Sequence, residues 1–353
     1  MGVALRKEKS GGRPNLPWII TESQCERHKH ESSYKRPLTM PWTPSRKESS
    51  RFHTPPFFVR PVMLQRCWFL SAFFMVMAAS FVSAEEKPFH IQAHRGAGIA
   101  MPENTLEAFE YTWSIGVTPE ADLRTTAEGE IVCFHDANLN RVVSNVSDAE
   151  KKTSVEKLPT DQVLALEVGS FRGQQYQGQK VPTLESVFAA MQGHPERLLY
   201  LDIKTADQGQ LVKLIDKYGV TSQVIYTTTH HNLIQEWAKR VPGSLTLLWN
   251  GGSEEKLRQK MAEVRAADFE GITHLQIHVR VGDLASDDPF TPSTKFLKQI
   301  GAELKEKGIV FQVLPWECQD QKAYVRLLDL GVESFATDYP EVTVEAVKEF
   351  RTR

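Results

Sequence analysis

No low-complexity linker interrupts residues 85–353, so nothing there marks a flexible tether or a second module. Long apolar runs are also scarce. The longest, Cys67–Val82, has 16 residues and is too short for an ordinary membrane span. Positive charge is scarce where it would matter for nucleic acid. Residues 1–62 carry 12 Lys and Arg against 5 Asp and Glu, whereas the remainder carries 30 against 39. An acidic body argues against a nucleic-acid partner and suits divalent cations.

What is present begins with a targeting pattern. Arg66 precedes the apolar run, and Val82-Ser83-Ala84 supplies small residues at cleavage-proximal positions. Residues 63–84 therefore read as a signal peptide, with a permanent N-terminal anchor as the alternative. Residues 1–62 are rich in Pro, Ser and basic residues without periodicity, and read as an upstream extension outside the mature protein. Translation is then expected to start at Met63, and the chain to be exported, periplasmic or secreted, with no stable membrane insertion after cleavage. The mature domain is residues 85–353, in which Cys133 and Cys318 remain; their pairing is left open.

In the mature domain short apolar runs alternate with amphipathic stretches. Strands are expected at 89–93, 118–123, 198–203, 224–228, 245–249, 275–279, 310–315 and 334–337. Helical patterns between them cover 184–191, 211–218, 232–238, 254–266, 294–306 and 322–330. Eight βα units in this length predict an α/β fold, a (β/α)8 TIM barrel with a small inserted arm after strand two, at about residues 128–182. An open doubly wound sheet is the structural alternative, because strand count does not show closure. The stretch AHRGAGIAMPEN, residues 93–104, reads as a strand end, a glycine turn and a helix start, with Asn104 as N-cap.

Active-site groups of such barrels sit at the C-terminal ends of the strands. Those ends read His94-Arg95, Glu120-Ala121-Asp122, Asp202-Ile203-Lys204, Trp316-Glu317 and Thr337-Asp338. Glu120 and Asp122, two apart on an extended chain, share a face. Two inward carboxylates repel unless something positive lies between them. A divalent cation with oxygen ligands, completed by Asp202, is the economical answer, and an internal salt-bridge network with Lys204 is the bland one. His94 and His135 are the candidate proton handlers. Asp136 either orients His135 or opens a turn. His90, His194, His230, His231 and His274 read as surface or satisfied core histidines, with His278 left as a candidate substrate contact.

The block Ala93–Asp136 resembles the signature of the glycerophosphodiester phosphodiesterases: H-R-G, P-E-N-T, E-x-D and an arm ending in H-D. VPTLESV (181–187), LDIK (201–204) and GVESFATDYP (331–340) extend the resemblance over the mature chain. It implies a barrel fold and hydrolysis of a small-molecule glycerophosphodiester to sn-glycerol 3-phosphate and an alcohol. It also implies His94 and His135 as catalytic residues and one divalent cation, Mg²⁺ or Ca²⁺, on Glu120, Asp122 and Asp202. Arg95, Glu103, Asn104, Lys204 and Trp316 are the implied substrate-binding residues. One histidine would take a proton from water or from the glycerol 2-hydroxyl while the other protonates the leaving alkoxide. Three departures stand out. Asp202 replaces the usual glutamate, WECQD replaces a W-T-V-N pattern, and YTTTH replaces an S-F ending on strand four. Two other readings stay open: an exported binding protein with lost turnover, motivated by Asp202 and the altered late loops, and a phospholipase-like enzyme on membrane lipids, which would be favoured by a long apolar loop that the mature sequence does not show.

Overall fold

The computed structural model describes residues 89–353, so the upstream extension, the signal peptide and the first residues of the mature domain lie outside the described residues. Ten strands follow in chain order: β1 (His90–Ala93), β2 (Thr118–Thr125), β3 (Ile131–Cys133), β4 (Leu199–Ile203) and β5 (Val224–Thr228). β6 (Leu245–Asn250), β7 (His274–Val281), β8 (Phe290–Thr291), β9 (Val310–Pro315) and β10 (Ser334–Thr337) complete them.

β1 pairs in parallel with both β2 and β10, which closes the sheet. Around the ring run β1, β10, β9, β7, β6, β5, β4 and β2, all parallel, with helices between them. This is a TIM barrel, and the open doubly wound sheet falls with that one double pairing. β3 and β8 are antiparallel hairpin partners outside the ring.

Period-two alternation explains the two interiors. On β4, Leu199 and Leu201 face the main core between strands and helices, while Tyr200 joins Ile225 and Leu247 inside the ring. The helices dock by apolar stripes; in Glu254–Ala266, Leu257, Met261 and Val264 are the buried residues.

Helix Leu106–Ser114 starts one residue later than its sequence suggests. Thr105, not Asn104, is the N-cap, its Oγ1 accepting from the Ala108 N–H at 3.2 Å. Asn104 instead sits at φ 54, a conformation asparagine tolerates better than most side chains. Between β2 and helix Leu184–Met191 lies the arm. It contains β3, four short 3-10 turns and helix Thr160–Ala165, and it buries its own cluster around Phe134, Leu139, Val143 and Val163. Cys133 and Cys318 are both buried and unpaired.

Candidate active site

Every strand-end residue singled out from sequence arrives at one mouth of the ring. β2 carries Glu120 and Asp122 inward, and β4 pairs Asp202 directly beside Asp122. One oxygen from each of Glu120, Asp122 and Asp202 lies within 4.8 Å of the others, and all three residues are buried. Lys204 stands over this trio, its Nζ 2.6 Å from Asp202 Oδ2 and 3.1 Å from Asp122 Oδ1.

Burial raises the Asp202 pKa, with Lys204 opposing. Burial also pushes Glu120 up, to about 7, with the charges of Asp122 and Asp202 adding to it. For Asp122 the burial penalty is overcome by Lys204, His135 and the Asn104 amide, and its pKa falls. Yet Asp122 Oδ1 is buried without a hydrogen bond, because Lys204 meets it outside hydrogen-bonding geometry. Three converging carboxylates, one with a free buried oxygen, are the donor set of a hard divalent cation. The residues fit the group.

The glycines of the first loop have separate reasons. A Cβ on Gly98 would lie 2.2 Å from the Asp338 carbonyl oxygen, so only glycine lets the loop rest on the end of β10. At the same end of β1 and β10, His94 meets Asp338, with Nδ1 and Oδ1 2.7 Å apart. Burial disfavours the His94 imidazolium, but the Asp338 hydrogen bond and the Glu120 charge outweigh it, and the net pKa is raised.

His135, at the end of β3, has the same kind of support. Its Nδ1 lies 2.7 Å from Asp136 Oδ1, so Asp136 is the orienting group of the two roles weighed for it. Arg124 on β2 donates to the His135 carbonyl at 2.8 and 3.2 Å and fixes the backbone there. Arg95 Nη2 lies 3.0 Å from His135 Nε2. A guanidinium only donates, so Nε2 is the accepting nitrogen and Nδ1 carries the hydrogen towards Asp136.

Glu103 and Asn104 are engaged by protein partners. Both Glu103 oxygens accept from Arg141 at 2.6 Å, and Arg141 also donates to Asp136. Glu103, His135 and Asp136 form a second cluster of potential metal ligands, but Arg141 stands within it as counter-charge to the two carboxylates. Asn104 Nδ2 donates to Asp122 Oδ2 at 2.7 Å, and its Oδ1 accepts the Asp122 N–H at 2.9 Å.

Over the trio lies a hollow of about 110 Å³, lined by His94, Arg95, His135, Lys204, His278 and Trp316 among others. Trp316 meets His94 and His278 edge-on, with ring centroids 5.9 and 5.3 Å apart. His278 stacks on Trp249 at 4.9 Å and is held neutral by burial, its pKa lowered to about 4. The candidate substrate contact is therefore a wall of the hollow. A wider hollow of about 490 Å³ adjoins it, lined by Ile99, Trp316, Arg172 and Tyr339.

Sequence reasoning gave no role to Asp338, Arg141, Gln92 or Trp249. Asp338 was visible as a polar strand end, but its partner lies 244 residues away. Arg141 sits in an arm whose path no periodicity reveals.

Comparison with known proteins finds the same family and the same fold. The sequence profile described as the Glycerophosphoryl diester phosphodiesterase family matches residues 94–342. A glycerophosphodiester phosphodiesterase of Caldanaerobacter subterraneus subsp. tengcongensis is 24% identical over 264 residues, covering 72% of this chain and 96% of its own. The crystal structure of a glycerophosphoryl diester phosphodiesterase from Parabacteroides distasonis matches with a TM-score of 0.58 at 22% identity, over 75% of this chain and 88% of its own. An Oleispira antarctica phosphodiesterase in complex with the product sn-glycerol-3-phosphate matches with a TM-score of 0.53 at 20% identity, over 73% and 96%.

Proposed function

This chain belongs to the glycerophosphoryl diester phosphodiesterase family, hydrolases of glycerophosphodiesters, and we propose that it uses His94 and His135 as an acid–base pair beside a divalent cation. The products would be sn-glycerol 3-phosphate, the product named for the Oleispira enzyme, and a free alcohol.

Glu120, Asp122 and Asp202 would hold the cation, Mg²⁺ or Ca²⁺. When bound, it supplies Lewis-acid neutralisation of phosphate oxygens. The remaining work falls to side chains of the chain itself. Arg95 and Lys204 present fixed positive charge to the phosphodiester anion as charge builds on it. His135 takes the proton of the attacking water or glycerol 2-hydroxyl through Nε2, once Arg95 turns from it to the phosphodiester, while Asp136 steadies the imidazolium that results; a cyclic ester formed by the 2-hydroxyl is then opened by water. His94, whose imidazolium form is favoured by Asp338, gives a proton to the departing alkoxide. Each transfer is worth about 10²–10⁴-fold.

The observation that carries this reading is the pair of histidines, each with Nδ1 on its own carboxylate, at the mouth of a hollow floored by three more. Full support structures around both histidines and the cation trio favour turnover over the lost-turnover binding protein. Residues 85–353, supplied with a divalent cation and glycerophosphocholine, should release glycerol 3-phosphate, detected by a coupled dehydrogenase. Absence of product with every cation tried would refute the reading.

Export remains part of the proposal, supported by the apolar run Cys67–Val82 and the small residues after it. N-terminal sequencing of secreted material should begin near Glu85; a start upstream of Met63 would overturn it.

A further inference from the structure

Barrel interiors of this type are ordinarily filled by Val, Ile and Leu. Here a layer inside the ring is polar: Gln92 of β1, Gln276 of β7, Gln312 of β9, Ser334 of β10 and the Tyr200 hydroxyl of β4, all buried. Buried amides are costly unless every donor and acceptor is used. In this layer they are used in one direction.

The direction starts at Glu120. Its Oε2 accepts from Gln92 Nε2 at 2.7 Å, and since a carboxylate oxygen accepts, the Gln92 amide must turn its nitrogen that way. Gln92 Oε1 therefore faces Gln276, whose Nε2 reaches it at 3.4 Å and Gln312 Oε1 at 2.6 Å. Gln276 Oε1 is left as an acceptor for His278 Nε2 at 3.0 Å. His278 thus carries its hydrogen on Nε2. Its Nδ1 lies against Gly251, where a Cβ would come within 2.9 Å. Gln312 completes its own needs on Tyr200 and Ser334 at 3.1 and 2.8 Å.

We propose that Gln92 is a positioning residue for the cation site, locked in its one useful orientation by Gln276. It pins one oxygen of Glu120, so that the carboxylate keeps a single rotamer with its other oxygen available towards Asp122 and Asp202. The inference rests on the reading that this trio holds a divalent cation. Free rotation of Glu120 would have to be arrested on each binding event, and a pre-arranged ligand avoids that cost. Gln312 belongs to the same layer but touches neither Gln92 nor Glu120. It accepts from Gln276 at 2.6 Å, so its loss can reach the cation site only through Gln276.

The test is calorimetric titration of Mg²⁺ and Ca²⁺ into chelator-treated protein, alongside thermal melts without metal. Gln92→Met, close in shape but without the amide, should weaken cation binding by about 10–100-fold. Gln276→Met, which leaves Glu120 untouched, should weaken it less but measurably. Gln312→Met should lower the melting temperature and weaken cation binding no more than Gln276→Met does. Ring-nitrogen NMR of His278 should show the Nε2–H tautomer in wild type and a tautomer mixture in Gln276→Met. If Gln92→Met fails to fold, Gln276→Met and the His278 tautomer still decide. Unchanged cation affinity in Gln92→Met, or an equal loss in Gln312→Met, overturns the proposal. A wild type that binds no divalent cation overturns the reading of the trio instead.

Discussion

His94 and Asp338 stand 2.7 Å apart although 244 residues separate them, and the contact exists only because β1 and β10 are neighbours in the closed ring. The pair has a defined pH window. His94 is raised above 6.5, so its share of stability is fully present below that value and is lost as pH rises through the raised one. Asp338 is lowered below 3.8, so its share is present above that value and is lost as pH falls through the lowered one. Asp338→Asn should therefore destabilise most at mildly acidic pH, by about 1–3 kcal/mol, and the gap should narrow in alkali. Denaturant melts across the pH range check this; a gap that widens towards alkaline pH contradicts it.

The division of labour proposed for the histidines is testable by leaving group. His94→Ala and His135→Ala should each lower kcat on glycerophosphocholine by at least about 10²-fold. With a p-nitrophenyl ester, whose leaving group departs without a proton, His94→Ala should recover most of its loss and His135→Ala should not. The opposite pattern would exchange the two roles.

Chelation should abolish activity, and Mg²⁺ or Ca²⁺ should restore it, because the trio offers only oxygen ligands. Full turnover after exhaustive chelation would leave Glu120, Asp122, Asp202 and Lys204 as a salt-bridge network.

Asp202 discriminates an adapted ligand from a decayed one. Asp202→Asn removes one negative charge and should weaken cation binding by at least about tenfold, whereas Asp202→Glu should be far milder. Apparent affinities from activity titrations give the answer. Equal values in all three proteins would remove Asp202 from the site.

Arg141 makes the fourth mechanistic case. It ties Glu103 to Asp136 and so holds the carboxylate that orients His135. Arg141→Met should lower kcat by about tenfold or more with little change in KM, and should leave the His94-dependent response to leaving group intact. A pure KM effect would make Arg141 a substrate contact instead.

Much of this was legible because local chemistry and fold agree. All eight ring strands stand where alternation puts them, and helices such as Leu184–Met191 and Glu254–Ala266 match their apolar spacing to the residue. Asn104 misled because asparagine serves equally as a helix cap and as a residue tolerant of positive φ; the difference lies in Asp122, 18 residues on. The glutamines at 92, 276 and 312 carried no signal either. A lone glutamine on a strand reads as solvent-facing, and only closure turns three of them towards one another. Asp338 was visible as a polar strand end, but closure of β10 against β1, not spacing, gives it to His94.

The closing seam between first and last strands also sets an order in time. During synthesis the edge of β1 must wait, unpaired on the β10 side, until Ser334–Thr337 has been made. A chain stopped anywhere earlier has two open edges and a His94 with no Asp338. Such a fragment is an aggregation hazard rather than a weaker enzyme. The His94–Asp338 pair is therefore completed only once the chain has been made past β10, and everything the pair does waits for that step.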